Sequence, residues 1–280
     1  MAVLIALYEL SAGGGVMRDG LSADIIDIWI WNLEEASTSQ APYLATPLTA
    51  RELDAAARFV HERDRRRYIA GRSGLRRIVG SYLGIEPNRL SLSYNAYGKP
   101  RIAASNGRML HFNLSHCGGM AALAVSSCYQ VGIDIEEVRP LKEDNVSRFL
   151  SPKEETALAA LPAAQYRRAF YSVWTRKEAF VKAIGVGLSF PLDAFDVTVG
   201  DGLPPRLERL DADGNTPADW SLFDLEMPHP FVGTLAALTA GKHVTLNYRD
   251  ENALLFMSNG HPERNDWPPH QNDGSQAGLS

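Results

Sequence analysis

Two cysteines in 280 residues, Cys117 and Cys128, exclude a disulfide-scaffolded secreted domain. Both lie in segments that read as buried, so free thiols in a reducing compartment are expected. No apolar run approaches the ~20 residues that span a bilayer. The apolar opening over residues 1–10 also lacks the basic stretch of a signal peptide, since the first Lys or Arg is Arg18. A cytoplasmic protein with no membrane role is therefore expected. A large excess of either charge is missing too, and a net charge of -5 gives no bulk attraction to nucleic acid or an anionic surface. Common phosphate and nucleophile signatures are absent. Gly185-Val186-Gly187 follows a helix and lacks the third glycine of a dinucleotide fingerprint, and there is no Walker A motif. Gly71-Arg72-Ser73-Gly74 lacks the Gly-x-Ser-x-Gly spacing of a hydrolase elbow.

What remains is the composition of a folded globular chain, 45% hydrophobic and 22% charged, large enough for one big domain or two smaller ones. Residues 25–31 are β-branched and aromatic and read as the first strand. Thr49-x-x-Glu52 has capping-box spacing and opens a helix. Arginines then crowd this helix and the next, and most of them read as a solvated face. A strand over 90–94 leads into the turn Asn95-Ala96-Tyr97-Gly98-Lys99-Pro100. Residues 120–126 and 131–136 read as an antiparallel hairpin around Cys128-Tyr129-Gln130. Ser151-Pro152-Lys153-Glu154 is complete helix-start chemistry, and a second long helix over 165–183 ends at Gly185. Strand-like stretches follow at 194–199, 206–210, 220–226, 233–238 and 244–248. Residues 1–22 read as a flexible segment and 258–280 as a disordered tail. No repeat is visible in the residues alone.

Two pieces concentrate the chemistry. In Val131-Gly132-Ile133-Asp134-Ile135-Glu136, strand alternation sends the isoleucines to one face and both acids to the other. In the stretch from Trp174 to Lys182, helical spacing stacks Trp174, Glu178 and Lys182 along one line. An acidic pair on a strand, facing an acid and a base on a helix, suits a hard divalent cation and a phosphate ester. Taken singly, Glu178 with Lys182 reads equally well as a surface ion pair, and Asp134 with Glu136 as the wet face of a strand.

Gly-Ile-Asp-Ile-Glu, followed downstream by Trp-x-x-Lys-Glu-Ala-x-x-Lys, resembles the signature of the 4'-phosphopantetheinyl transferases of the surfactin type. Phe112-Asn113-Leu114-Ser115-His116 is similar to that family's Asn-x-Ser-His block, and Gly98-Lys99-Pro100 to its Gly-Lys-Pro block. Arg63-Asp64 through Gly71-Arg72 is similar to its basic N-terminal helix. The resemblance runs over residues 63–182. It implies an α/β (α+β) fold of two similar halves with pseudo-twofold symmetry, 23–130 binding coenzyme A and 131–257 carrying the metal and catalytic residues. It also implies transfer of the 4'-phosphopantetheine arm of coenzyme A to a serine of an apo acyl or peptidyl carrier protein, releasing 3',5'-ADP, by a monomer. On that pattern Asp134, Glu136 and Glu178 hold Mg²⁺, while Arg63, Lys99, Ser115, His116 and Lys182 hold coenzyme A, Lys182 also managing charge on the leaving phosphate. Serine activation is open between Glu154, Glu178 and a metal-bound water, and Glu154 is equally a helix cap. Two other readings are an inactive carrier-protein-binding homologue and a metal-dependent phosphohydrolase using the same carboxylates.

Overall fold

The computed structural model describes residues 21–34, 44–103, 109–141, 149–200, 202–211 and 214–249. The expectations for residues 1–20 and for the tail lie outside these.

The chain runs twice through the same order of elements. The first pass is strand β1 (Ile25–Asn32), helices α1 (Ala50–Ala57) and α2 (Glu62–Leu83), the short hairpin β2 (Leu92–Tyr94) and β3 (Pro100–Ile102), and the pair β4 (His111–Cys117) and β5 (Met120–Ser126). The second is β6 (Val131–Glu137), α3 (Pro152–Ala159), α4 (Ala163–Ile184), the hairpin β7 (Phe195–Val197) and β8 (Leu207–Leu210), and the pair β9 (Trp220–Asp224) and β10 (Phe231–Leu238). In each pass an 8-residue helix precedes a 22-residue helix, and the first strand pairs antiparallel with the last. The matches reach individual side chains. Thr49 and Glu52 form a capping box, as do Ser151 and Glu154. Glu52 meets Arg76, and Glu154 meets Lys177 at the same position of the second long helix. Gly84 and Gly185 close the long helices in left-handed conformation, which glycine adopts without a Cβ clash. The repeat escapes sequence reading because matching places carry different residues, Thr49 and Arg76 in the first pass against Ser151 and Lys177 in the second.

A further strand, β11 (Thr245–Arg249), returns to the first sheet and pairs parallel with β1, giving the order β11-β1-β5-β4, while the second sheet is β6-β10-β9. The stretch 131–257 thus lends its last described strand to the first sheet. Period-2 alternation in β1 sends Trp29 and Trp31 toward α2 and Ile26 and Ile28 toward the second sheet. There they meet Ile133, Ile135 and Leu235, so the two sheets share one apolar layer, each of these side chains worth roughly 1.5–3 kcal/mol when fully buried.

Three expectations change. Residues 120–126 and 131–136 do not form a hairpin: β5 pairs with β1 and β4, and β6 with β10, because both strands bury a face in the layer between sheets rather than sharing a ladder. Cys128 is exposed and Cys117 half-buried, both as free thiols. The arginine-rich helices are only partly a solvated face, since Arg72 and the buried Arg76 both grip the Glu52 carboxylate.

Helix α4 rests on β6 at Gly132, where a Cβ would fall 2.1 Å from the Ala179 carbonyl oxygen and 2.2 Å from the Ala183 nitrogen. Backbone cannot yield as a side chain can. Gly132→Ala is therefore expected to push α4 off the sheet and cost about 1–3 kcal/mol, read as a lowered thermal midpoint.

Candidate active site

Strands β4 and β6 are edges of different sheets, and side chains join them where backbone pairing would otherwise be expected. Alternate residues of β4 supply three rungs. Asn113 Oδ1 accepts from the Ile133 N–H at 2.8 Å, Ser115 Oγ from Ile135 at 3.4 Å, and Cys117 Sγ from Glu137 at 3.4 Å. Each rung satisfies an edge-strand N–H that would otherwise lack a partner. The rungs also set Ser115 and Cys117 beside the acidic face of β6.

Asp134, nearly buried at 4% exposure, is gripped on one oxygen only. Its Oδ1 accepts from Lys182 Nζ at 2.5 Å and from Ser115 Oγ at 3.0 Å. The Lys182 ammonium donates to Ser115 Oγ as well, at 3.0 Å. Asp134 Oδ2 and Glu178 Oε1 are buried with no hydrogen-bond partner among the described residues. Glu136 accepts from Trp174 Nε1 at 3.2 Å and from Cys117 Sγ at 3.1 Å. Burial raises the Asp134 pKa against the pull of Lys182, and the Glu136 charge adds to the rise. Burial and then the Asp134 charge raise that of Glu178. Burial, with Glu136 beside it, pushes the Cys117 thiol up to about 12, so it stays a donor. Crowding by protein atoms and then the Lys182 charge lower the pKa of His116, whose side chain reaches solvent.

Three carboxylates thus share one ammonium, and two of their oxygens are desolvated and unpaired. That imbalance fits a divalent cation. Among the described residues no three His, Cys, Asp or Glu side chains close into a ready-made metal cage. Mg²⁺ fits such an open set, because it retains waters and takes few carboxylates together with substrate phosphate.

Ser115, Asp134, Glu136, Glu178 and Lys182 are brought together, with His116 within reach of the Lys182 charge. Arg63, Lys99 and Glu154 stand elsewhere. Arg63 lies exposed on the first turn of α2, 3.6 Å from Asp64. Lys99 reaches across from the β2–β3 hairpin to donate to the carbonyls of Val131 at 3.0 Å and Ala183 at 2.8 Å, capping the end of α4. Burial, then the Arg101 charge, lowers its pKa to about 8. Glu154 is fully buried: one oxygen accepts from the Val197 N–H at 2.8 Å, and the other from Ser151 N–H at 2.9 Å and Lys177 Nζ at 2.8 Å. Of its two readings, this geometry carries the helix cap. Sequence reading missed the Asn113, Ser115, Cys117 ladder, although the every-second-residue spacing of small polar side chains on one strand was its signal. An open groove of about 560 Å³ lined by Pro205, Trp220, Phe223 and Lys242, among others, shares no residue with the carboxylate cluster.

Residues 130–237 match the model of the 4'-phosphopantetheinyl transferase superfamily, and residues 32–128 that of the 4'-phosphopantetheinyl transferase N-terminal region. Over 210 residues the chain is 37% identical to the 4'-phosphopantetheinyl transferase HetI of Nostoc sp., covering 73% of this chain and 84% of that protein. The chain belongs to the 4'-phosphopantetheinyl transferase superfamily. The Sfp transferase of Bacillus subtilis is 35% identical over 140 residues, half of this chain and 61% of its own. The human L-aminoadipate-semialdehyde dehydrogenase-phosphopantetheinyl transferase is 31% identical over 198 residues, 65% of this chain and 64% of its own. The carboxylate cluster of this transferase lies between the two matched regions in space, with Ser115 from one and Asp134, Glu178 and Lys182 from the other. Among the described residues, no helix is long and apolar enough to cross a membrane.

Two outcomes follow for residues outside the cluster. Glu154→Gln, which removes the charge facing buried Lys177, is expected to lose about 3–5 kcal/mol in urea unfolding while the folded fraction keeps its transfer rate. Loss of transfer in folded Glu154→Gln would restore the base assignment. Lys99 has a folded pKa below its unfolded value, so the folded state releases its proton first and its burial penalty is relieved as pH rises from about 8 toward 10.5. Wild-type stability relative to Lys99→Met should therefore improve across that window in paired unfolding curves.

Proposed function

We propose that the enzyme transfers the 4'-phosphopantetheine arm of coenzyme A to a serine hydroxyl of an apo acyl or peptidyl carrier protein, in the manner of the surfactin-type transferases, with Mg²⁺ at the pyrophosphate. The observation that supports this most is the unpaired, buried pair of oxygens, Asp134 Oδ2 and Glu178 Oε1, beside the Lys182 ammonium. Asp134, Glu178 and Glu136 would hold the cation, which when bound neutralises charge on the pyrophosphate oxygens. Lys182 is tethered to both Asp134 and Ser115, so its charge is held beside the carboxylates and would offset the negative charge gained by the leaving phosphate. Ser115 and His116 line the same strand end and would contact coenzyme A.

In the reaction the carrier serine oxygen forms a bond to the phosphorus that bears pantetheine. The bond to the 3',5'-ADP oxygen breaks, and the serine proton leaves to a base. Glu178 suits that role better than Glu154, because its Oε1 has no partner among the described residues whereas both Glu154 oxygens are committed in the core, and a metal-bound water is the other candidate. Arg63 and Lys99 remain part of the coenzyme A assignment through the resemblance. Arg63 is exposed, and Lys99 would have to divide its donors between substrate and the Val131 and Ala183 carbonyls. We further treat 23–130 and 131–257 as the functional halves, acting in a monomer.

Incubation with coenzyme A, Mg²⁺ and several apo carrier proteins, followed by intact mass measurement, should show the phosphopantetheine adduct on the carrier. Coenzyme A cleavage without an adduct would indicate a phosphohydrolase, and carrier binding with neither product an inactive homologue. Asp134→Ala and Glu178→Ala are expected to abolish transfer in folded protein, and full activity in either would refute the metal assignment.

A further inference from the structure

We propose that Cys117 and Trp174 form a two-sided clamp that orients the Glu136 carboxylate toward the divalent cation. The inference rests on the reading of Glu136 as a metal ligand. Each Glu136 oxygen has its own donor, Trp174 Nε1 on Oε1 at 3.2 Å and Cys117 Sγ on Oε2 at 3.1 Å. A carboxylate oxygen has two lone-pair directions, so one on each atom is spent in orientation and one stays available.

The donors come from the two passes of the chain. Cys117 stands at the end of β4, where its sulfur also accepts the Glu137 N–H as the last rung of the ladder. Trp174 projects from α4 and is steadied by an edge contact with Phe149, ring centroids 4.6 Å apart. Glu136 is half-buried on a strand, with a flexible side chain that would otherwise sample several rotamers. Its neighbours are held differently: Asp134 by Lys182 and Ser115, while Glu178 Oε1 has no partner among the described residues. Hydrogen bonds from protein donors to a ligating carboxylate fix its direction before the ion arrives, and their loss appears in metal affinity rather than in the fold. Cys117 and Trp174 are thus positioning residues acting through Glu136. The clamp also makes metal binding sensitive to how the two halves meet, since one jaw belongs to each.

The test uses the full chain with coenzyme A present and Mn²⁺ as the probe, its affinity read by electron paramagnetic resonance, together with the Mg²⁺ dependence of transfer. Trp174→Phe keeps the ring and loses the N–H, Cys117→Ala loses the thiol donor, and Cys117→Ser retains a donor. Trp174→Phe combined with Cys117→Ala should weaken Mn²⁺ about 10-fold and raise the half-saturating Mg²⁺ similarly, with kcat at saturating Mg²⁺ nearly retained. Cys117→Ser should bind more tightly than Cys117→Ala. Wild-type Mn²⁺ affinity in the double variant overturns the clamp and leaves the metal reading standing. Absence of Mn²⁺ binding in the wild type overturns both. If the double variant does not fold, equal affinity in Cys117→Ala and Cys117→Ser overturns the clamp.

Discussion

Strand β6 reaches the edge of its sheet with backbone N–H groups that no strand of that sheet can pair, and the rest of the site follows from how they are satisfied. Asn113, Ser115 and Cys117 accept the N–H groups of Ile133, Ile135 and Glu137. A conventional ladder would have paired backbone with backbone and left these side chains free. Here the bonds that stitch the halves together also deliver a hydroxyl to Asp134 and a thiol to Glu136. Gly132 completes the arrangement by letting α4 descend onto β6 and bring Glu178, Lys182 and Trp174 over the same acids.

The doubled architecture clarifies which residues are structural. Glu52 with Arg76, and Glu154 with Lys177, occupy matching places and do matching work, tying a short helix to a long one through a buried ion pair. An acid with an exact counterpart in the non-catalytic position is better understood as a framework element. The α4 positions that face the acids behave oppositely. Trp174, Glu178 and Lys182 fall where α2 carries Ser73, Arg77 and Ser81, so this acid, base and indole stand on one copy of the repeat only.

Much of this was legible beforehand, and the reasons differ by element. Alternation in β6 and helical spacing in α4 are local rules, so the shared face of Asp134 and Glu136 and the shared line of Glu178 and Lys182 are legible in residue order, whereas the convergence of the two pairs is implied only by the family resemblance. Ion pairing to Asp134 and the Trp174 contact to Glu136 agree with that reading. Strand partnership is not local. The short link between β5 and β6 suggested a hairpin, yet burial of Ile133 and Ile135 against β1 residues placed the two strands in different sheets. Glu154 was ambiguous because a cap and a base use the same atoms, and only burial beside Lys177 separates them. Lys99 belongs to the same class, since its reach to the α4 carbonyls depends on a tertiary contact between halves.

On the proposed function, metal and coenzyme A meet at the junction of β4, β6 and α4. A crystal structure of the enzyme soaked with coenzyme A and Mn²⁺, with the metal located by anomalous scattering, tests it most directly. A single peak is expected among Asp134, Glu136 and Glu178, with the pyrophosphate next to Lys182. A manganese peak elsewhere, or coenzyme A bound away from this junction, would contradict it.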